Sequence, residues 1–394
     1  MTEAAAVTVG ALRRPRIKPE HRAYRTVDGN VRIGSVVHGI GAEIADPQGW
    51  VWTLVESMDG SRGPAEVVAE VLRGHPGLPA EDADQAMADL LAAGFVDDAL
   101  AAVPVPPREE DRYSRGVPLL RWMDLTPRTS PWDAQLRLRE ARVLLIGVGG
   151  TGGHAAQSLV ASGIGHVHCV DPDVVELSNL NRQPLYRERD IGRPKVESAV
   201  GTLRGLNSDV TVTGERREVR GVGDLGELVR GLGAGRDSGP VGTPATAPAY
   251  DLLAQGADRP DDLRRWTNRV CLDAGLPWVD AGYRGPLVTA GVYVPGQGAC
   301  WECLRAGEIA RRDLRLGPGQ DPEVASPRMP WNPASAVTAG LSGALLAHTA
   351  LALLTGVPAL EPGFRFGVNL MLPGDQVHHR APRLLDCPAC GDRG

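Results

Sequence analysis

A chain of 394 residues, 42% of them apolar, is long enough to bury two cores, and its net charge of −6 argues against a nucleic-acid-coating protein. No signal peptide opens it, and its six cysteines do not form a secreted-type framework, so a cytoplasmic protein is expected. The first 19 residues show no hydrophobic period and are expected to be flexible. Residues 20–100 read as one small α+β domain. Alternation in Arg22-Ala23-Tyr24-Arg25-Thr26 and in Val31-Arg32-Ile33-Gly34-Ser35-Val36-Val37, separated by Asp28-Gly29, predicts a β-hairpin. Helices are expected from Trp50 to Val55, from Pro64 to Leu72 and from Ala80 to Leu91; Pro64 and Glu81-Asp82 mark starts and Gly94 follows the last end. None is basic, so no nucleic acid is expected there. Residues 101–111, with Pro104, Pro106 and Pro107, read as a stiff linker to a second domain at 112–394.

The second domain opens with the most informative run. An apolar strand, Val143-Leu144-Leu145-Ile146, leads into the loop Gly147-Val148-Gly149-Gly150-Thr151-Gly152, and a second strand from Val167 to Val170 delivers Asp171. Glycines let backbone N–H groups reach a phosphate, and the following helix adds its dipole. Asp171 stands 19 residues past Gly152, where an acidic residue meets a ribose hydroxyl. Such a loop alone fits NAD, FAD or another nucleotide. The residues beyond Asp171 decide among these: Asp173, Ser178, Asn179, Arg182 and Gln183, then Gly192-Arg193-Pro194-Lys195. A dinucleotide already held by the loop needs no added cations, whereas a triphosphate carries charge that Arg182 and Lys195 would neutralise. The chain holds forty arginines and only two lysines, Lys18 and Lys195, so one of the two falls in this constellation.

Further on, residues 231–248 are rich in Gly, Pro, Ser and Thr and fit a surface insertion. Four of the six cysteines form two CxxC pairs, Cys300/Cys303 and Cys387/Cys390, the spacing of a closed tetrahedral zinc site with four thiolate ligands rather than of a thioredoxin-like motif. Disulfides are the competing reading. Cys169 and Cys271 sit in apolar strand and helix contexts. Residues 334–357 carry no formal charge and could span a bilayer by length, yet their Ala, Gly, Ser and Thr content and the lack of basic flanks predict a buried helix and no membrane partner. His154, after the glycine loop, reads as a helix-surface residue rather than a base, and Trp301 as packing. His378-His379 precede the last cysteine pair, but four thiolates already complete a zinc shell.

The run from Asp171 to Lys195 resembles the ThiF/MoeB/HesA family, bacterial relatives of ubiquitin-activating enzymes: a DxDxxxxSNLxRQ signature with a lysine twelve residues beyond its glutamine. Arg112-Tyr113-Ser114-Arg115 resembles the family's RYxRQ entry motif, with Gly116 in place of glutamine. The stretch from Tyr250 to Asp258-Arg259 resembles its TDN-type signature, with Arg259 in place of asparagine. The resemblance implies a Rossmann-like α/β adenylation domain with a mostly parallel sheet. It also implies roles. Gly147, Gly149, Gly150 and Gly152 would cradle the phosphates of ATP, Asp171 the ribose, and Asp173, Asn179, Arg182, Gln183 and Lys195 the rest of the nucleotide. Asp258 would bind Mg²⁺, and Arg115 would reach a partner's ATP across a homodimer. Such enzymes adenylate the C-terminal carboxylate of a peptide. Many carry an acceptor cysteine after the first CxxC; here residues 304–335 contain none, which points away from sulfur transfer.

The hairpin followed by three helices resembles the PqqD-like leader-peptide recognition element of ribosomal-peptide modifying enzymes, a small winged-helix fold. That likeness implies a precursor peptide held by β-augmentation. Taken together the sequence is that of a leader-binding domain fused to an adenylyltransferase that activates a peptide carboxylate. Two other functions stay open: a non-catalytic delivery protein for a separate modifying enzyme such as a cyclodehydratase, and an activating enzyme for a ubiquitin-like sulfur carrier.

Overall fold

The computed structural model describes residues 8–35, 39–231, 248–311, 314–320, 324, 329 and 331–391. The chain divides into two compact units, Met1–Leu136 and Arg137–Gly394.

In the first unit, β1 (Pro15–Ile17) precedes the expected hairpin of β2 (Tyr24–Arg25) and β3 (Val31–Ser35), whose register places Tyr24 opposite Arg32. Val36 and Val37, expected to extend it, lie outside the described residues. A third strand, β4 (Ile40–Ile44), follows, then α1 (Trp50–Ser57), α2 (Pro64–Gly74), α3 (Ala80–Ala92) and β5 (Val96–Asp98). The three helices fall where their starts and stops put them. Asp46 caps α1, its carboxylate accepting the N–H groups of Val51 (3.1 Å) and Trp52 (2.9 Å). Val31, Ile33, Leu54, Met58, Val67, Met87 and Leu91 form the core.

Two expectations are corrected. The start of the chain is not a flexible tail up to residue 19: Pro15–Ile17 pairs antiparallel with β5, and the Arg16 guanidinium grips Asp97 through two 3.1 Å bonds. The proline-rich linker ends in a helix, α4 (Pro107–Tyr113), with Pro107 in the first turn, where its missing N–H costs nothing. α5 (Gly116–Met123) follows, and Tyr113, Val117 and Trp132 make a small cluster of their own. α6 (Asp133–Glu140) spans the division between the units.

The second unit is an α/β fold built on an eight-stranded sheet. In chain order it contains β6 (Arg142–Ile146), α7 (Gly150–Ala161), β7 (His166–Val170), α8 (Lys195–Leu206), β8 (Thr211–Glu215), α9 (Val222–Val229), β9 (Leu252–Gln255), α10 (Leu263–Ala274), β10 (Trp278–Arg284), β11 (Leu287–Tyr293), α11 (Trp301–Arg311), α12 (Ala336–Thr355), β12 (Phe364–Asn369) and β13 (Gln376–Arg380). Across the sheet the order is β13-β12-β11-β10-β9-β6-β7-β8. The five strands from β10 to β8 run parallel, and β11, β12 and β13 add antiparallel pairs at the other edge. Covered on both faces, β6 and β9 are almost entirely buried, which is why they read as unbroken apolar runs. α12 packs against α7, β10 and β11, in keeping with the buried helix expected of the uncharged stretch, although its length and composition alone would also let it cross a membrane. Of the polar insertion, residues 232–247 lie outside the described residues.

The sheet buries one carboxylate completely. Asp280 on β10 accepts from Arg264 (2.7 Å), from Arg365 (2.9 and 3.0 Å) and from the Tyr293 hydroxyl (3.2 Å). Burial works against its charge, but Arg365 and Arg264 outweigh burial and hold the carboxyl below its usual range. A depressed pKa gives stability that is present above the unfolded value, near pH 4, and lost as pH falls through the folded one. Arg365→Met should therefore cost about 3 kcal/mol in urea melts at neutral pH. It should also move loss of near-UV circular dichroism to higher pH than in the native chain.

Candidate nucleotide and metal sites

At the end of β6 the backbone turns through Gly147 with φ +87°, a left-handed value that favours glycine. A Cβ there would lie 2.7 Å from the Ala257 Cβ, and one on Gly152 would lie 1.8 Å from the Gly147 carbonyl oxygen. Gly149 and Gly150 occupy the cap and first residue of α7, so amides of its first turn have no partner inside the helix. A side chain on Gly150 would approach Ala339 at 3.1 Å and the Tyr283 hydroxyl at 3.6 Å. The loop is thus bare backbone at a helix N-terminus.

Asp171 leaves β7 beside it, 5% exposed. Its two oxygens each accept one amide, from Val148 (2.9 Å) and Asp173 (3.0 Å), which leaves each oxygen further lone-pair capacity. Burial raises its carboxyl above the ordinary range against the pull of Lys195 and those amides. Lys195 is the first residue of α8; its Nζ donates to Asp173 Oδ2 at 2.8 Å, and the side chain is buried while that of Asp173 is largely open. Arg182 is half-buried and donates to the Ser178 carbonyl (2.7 Å) and Asn181 Oδ1 (3.0 Å). Asn179 is buried and accepts the Glu176 N–H. Gln183 is buried too, its Nε2 3.7 Å from where a Gly149 Cβ would stand and its Oε1 without a partner.

Asp258 is exposed on the loop after β9. Tyr283, which sequence reasoning missed, lies between the groups: burial raises its hydroxyl pKa, Arg182 lowers it and Asp258 raises it. Only the strand register could have brought it forward, since it stands at the end of β10 with no motif around it. Arg115 belongs to the first unit, exposed at the cap of α5. His154 is not a surface residue of α7. It is half-buried against α12, close enough that a Cβ on Gly343 would meet its own Cβ at 2.4 Å, and burial lowers its pKa.

The four paired cysteines converge. Sγ separations are 3.8 Å for Cys300–Cys303, 3.7 Å for Cys300–Cys387 and 3.6 Å for Cys303–Cys390, and all four sulfurs lie within 4.8 Å of one another. A tetrahedral site with metal–sulfur bonds of about 2.3 Å requires sulfurs about 3.8 Å apart. The donor set therefore fits a closed metal centre. Asn268 Nδ2 donates to Cys300 Sγ (3.6 Å) and the Leu384 N–H to Cys303 Sγ (3.4 Å), bonds of the kind that orient thiolate ligands. His379 is engaged elsewhere, with the Leu304 carbonyl at 3.0 Å, and Trp301 packs against the same core.

Residues 124–383 match the ThiF family. The chain belongs to that family. It is 31% identical over 287 residues to the SAMP-activating enzyme E1 of Haloferax volcanii, covering 72% of this chain and 90% of that one. It is 32% identical over 317 residues to the adenylyltransferase and sulfurtransferase MOCS3 of Bos taurus, covering 74% of this chain but 56% of the bovine protein. Among solved structures, MccB of E. coli with ATP superposes with a TM-score of 0.68 at 21% identity, over 96% of this chain and 99% of MccB. MccB has also been solved in complex with N-formylated MccA, at a TM-score of 0.66 and 21% identity over the same shares of both chains. This ThiF-family chain is an ATP-dependent adenylyltransferase.

Two outcomes are expected from the geometry. Gly152→Ala should weaken ATP binding, read by calorimetry, at least about tenfold (~1.4 kcal/mol), because the new methyl pushes α7 away from Gly147. The metal content should not change. Elemental analysis of the native chain should find one thiolate-bound metal per chain; Cys303→Ser should lose it together with several degrees of melting temperature.

Proposed function

We propose that this adenylyltransferase holds a ribosomally made precursor peptide through a winged-helix region at residues 20–100 and activates a carboxylate of that peptide. Residues 112–394 form the ATP-using part, so that Arg115 serves the nucleotide of a partner copy in a homodimer. In the reaction a carboxylate oxygen attacks the α-phosphorus, pyrophosphate departs, and an acyl-adenylate remains for a neighbouring nucleophile of the peptide. The residues supply charge and position. The glycine loop and the start of α7 cradle the phosphates, and the remaining lone pairs of Asp171 take the ribose hydroxyls. Arg182 and Lys195 exchange their local acceptors, Ser178, Asn181 and Asp173, for triphosphate oxygens. Asn179 and Gln183 line the same crevice. Mg²⁺ held by Asp258 would neutralise the departing pyrophosphate, and zinc is the metal proposed for the cysteine cluster, as a structural ion.

The observation that carries this reading is the intact set of triphosphate-handling cations, Arg182 and Lys195, beside the bare loop. A protein that only delivered peptide would have no use for them. The peptide assignment is supported by the likeness to MccB along nearly the whole chain, including the N-terminal unit, and by the MccA bound to MccB. The names of the sequence relatives favour a second reading, a carrier-protein activating enzyme. The lack of a cysteine between 304 and 335 counts against its sulfur-transferring form.

ATP–pyrophosphate exchange separates these readings. Exchange should depend on a precursor peptide and fall about a hundredfold or more in Arg182→Ala and in Lys195→Ala. Exchange driven instead by a carrier protein ending in Gly-Gly would establish the second reading. Tight peptide binding without exchange would make the chain a delivery protein.

A further inference from the structure

Of two lysines in a chain with forty arginines, one stands in the nucleotide site. The other, Lys18, lies in the first unit, 5% exposed, between β1 and the turn at Pro19–His21. Among the described residues the one hydrogen bond of its ammonium runs from Nζ to the neutral carbonyl of Asp124, 2.9 Å away. Among those residues the ammonium's other N–H donors have no partner.

Every neighbouring cation, by contrast, has a carboxylate. Arg16 and Arg121 share Asp97, with Arg121 at 2.7 Å and also 3.2 Å from Glu20, and Arg128 grips Asp124 at 2.7 and 3.3 Å. Four cations thus meet three carboxylates, and the surplus positive charge is the ammonium of Lys18. His21, fully buried nearby, supplies no countercharge: burial and Lys18 hold its pKa to about 4.

Lys18 lines a cavity with Arg121, Arg128, Ala134 and Gln135 and with Asp97 and Asp124, the carboxylates already paired with those arginines, so one positive charge is left over there. Its volume is about 20 Å³, more than the roughly 10–15 Å³ that one water needs and too little for a nucleotide. The Nε of Arg121 is buried without a partner. A buried charge left unpaired is expensive, and one surplus charge beside planar guanidinium groups suits a small planar monoanion.

We propose that this cavity binds a carboxylate through Lys18, either that of a small free acid or that of an acidic side chain on a bound peptide. The site is independent of the nucleotide crevice and of the adenylation reading.

The test uses the full chain, melted against acetate and against the capped tripeptide acetyl-Ala-Glu-Ala-amide, each at constant ionic strength in chloride. Acetate should raise the melting temperature saturably, and its affinity should drop about tenfold or more in Lys18→Met and in Ala134→Leu, which fills the cavity while keeping the lysine. A matching response to the tripeptide would mark a peptide side chain as the source, and a response to acetate alone a free acid. A native chain without saturable response to either probe overturns the proposal. So does an undiminished response in whichever variant folds.

Discussion

Backbone lies directly on backbone where β6 and β9 end, and the site is arranged around that contact. A Cβ on Gly152 would fall 1.8 Å from the Gly147 oxygen, and one on Gly256 2.7 Å from the Gly152 Cα. No side chain fits among these three segments, so the N-terminus of α7 is drawn against both strand ends. The sheet order makes this the place for it. From β6 the chain proceeds outward through β7 and β8 on one side and through β9 and β10 on the other. Such a reversal opens a crevice beyond the strand ends, where a ligand meets unpaired helix amides.

A second constraint fixes the side of the crevice that carries Asp258. That loop runs into α10, and two residues four apart on α10 hold it: Arg264 bonds to the buried Asp280, and Asn268 to the Cys300 sulfur and the Trp301 N–H. One tie is an ion cluster inside the sheet, the other the surroundings of the metal centre. The cysteine cluster also joins the start of α11 to a segment 87 residues further on. A structural metal in this position would stiffen α10 from its middle, well away from the phosphates.

Much of this was legible in the sequence because local chemistry carried it. The glycine loop, Asp171, the paired cysteines, the three N-terminal helices and the hairpin each rest on spacing that a backbone can satisfy in few ways. The features that stayed hidden depended on partners distant in the chain. β1 is a strand only because β5 pairs with it some eighty residues later. His154 reads as polar and is half-buried because α12 arrives with Gly343 opposite it. Tyr283 and Asp280 both stand on β10, and only the packing of the sheet gives one to the crevice and the other to two arginines. The α4 helix was masked by prolines that break a helix interior yet suit its start.

Lys195 shows how a broken local rule points to a site. A cation at the first residue of a helix meets the positive end of the helix dipole, and burial adds to the cost. The Asp173 carboxylate offsets both, but it is an exposed partner on a loop, and a chain shaped for stability alone would place a carboxylate at that helix start instead. The arrangement makes sense if a more highly charged anion takes the position of Asp173. The amides of α7, the lone pairs left on Asp171 and the half-buried guanidinium of Arg182 face the same requirement. Each is left incompletely used by the protein itself, and together they describe the charge and polarity of what belongs between them.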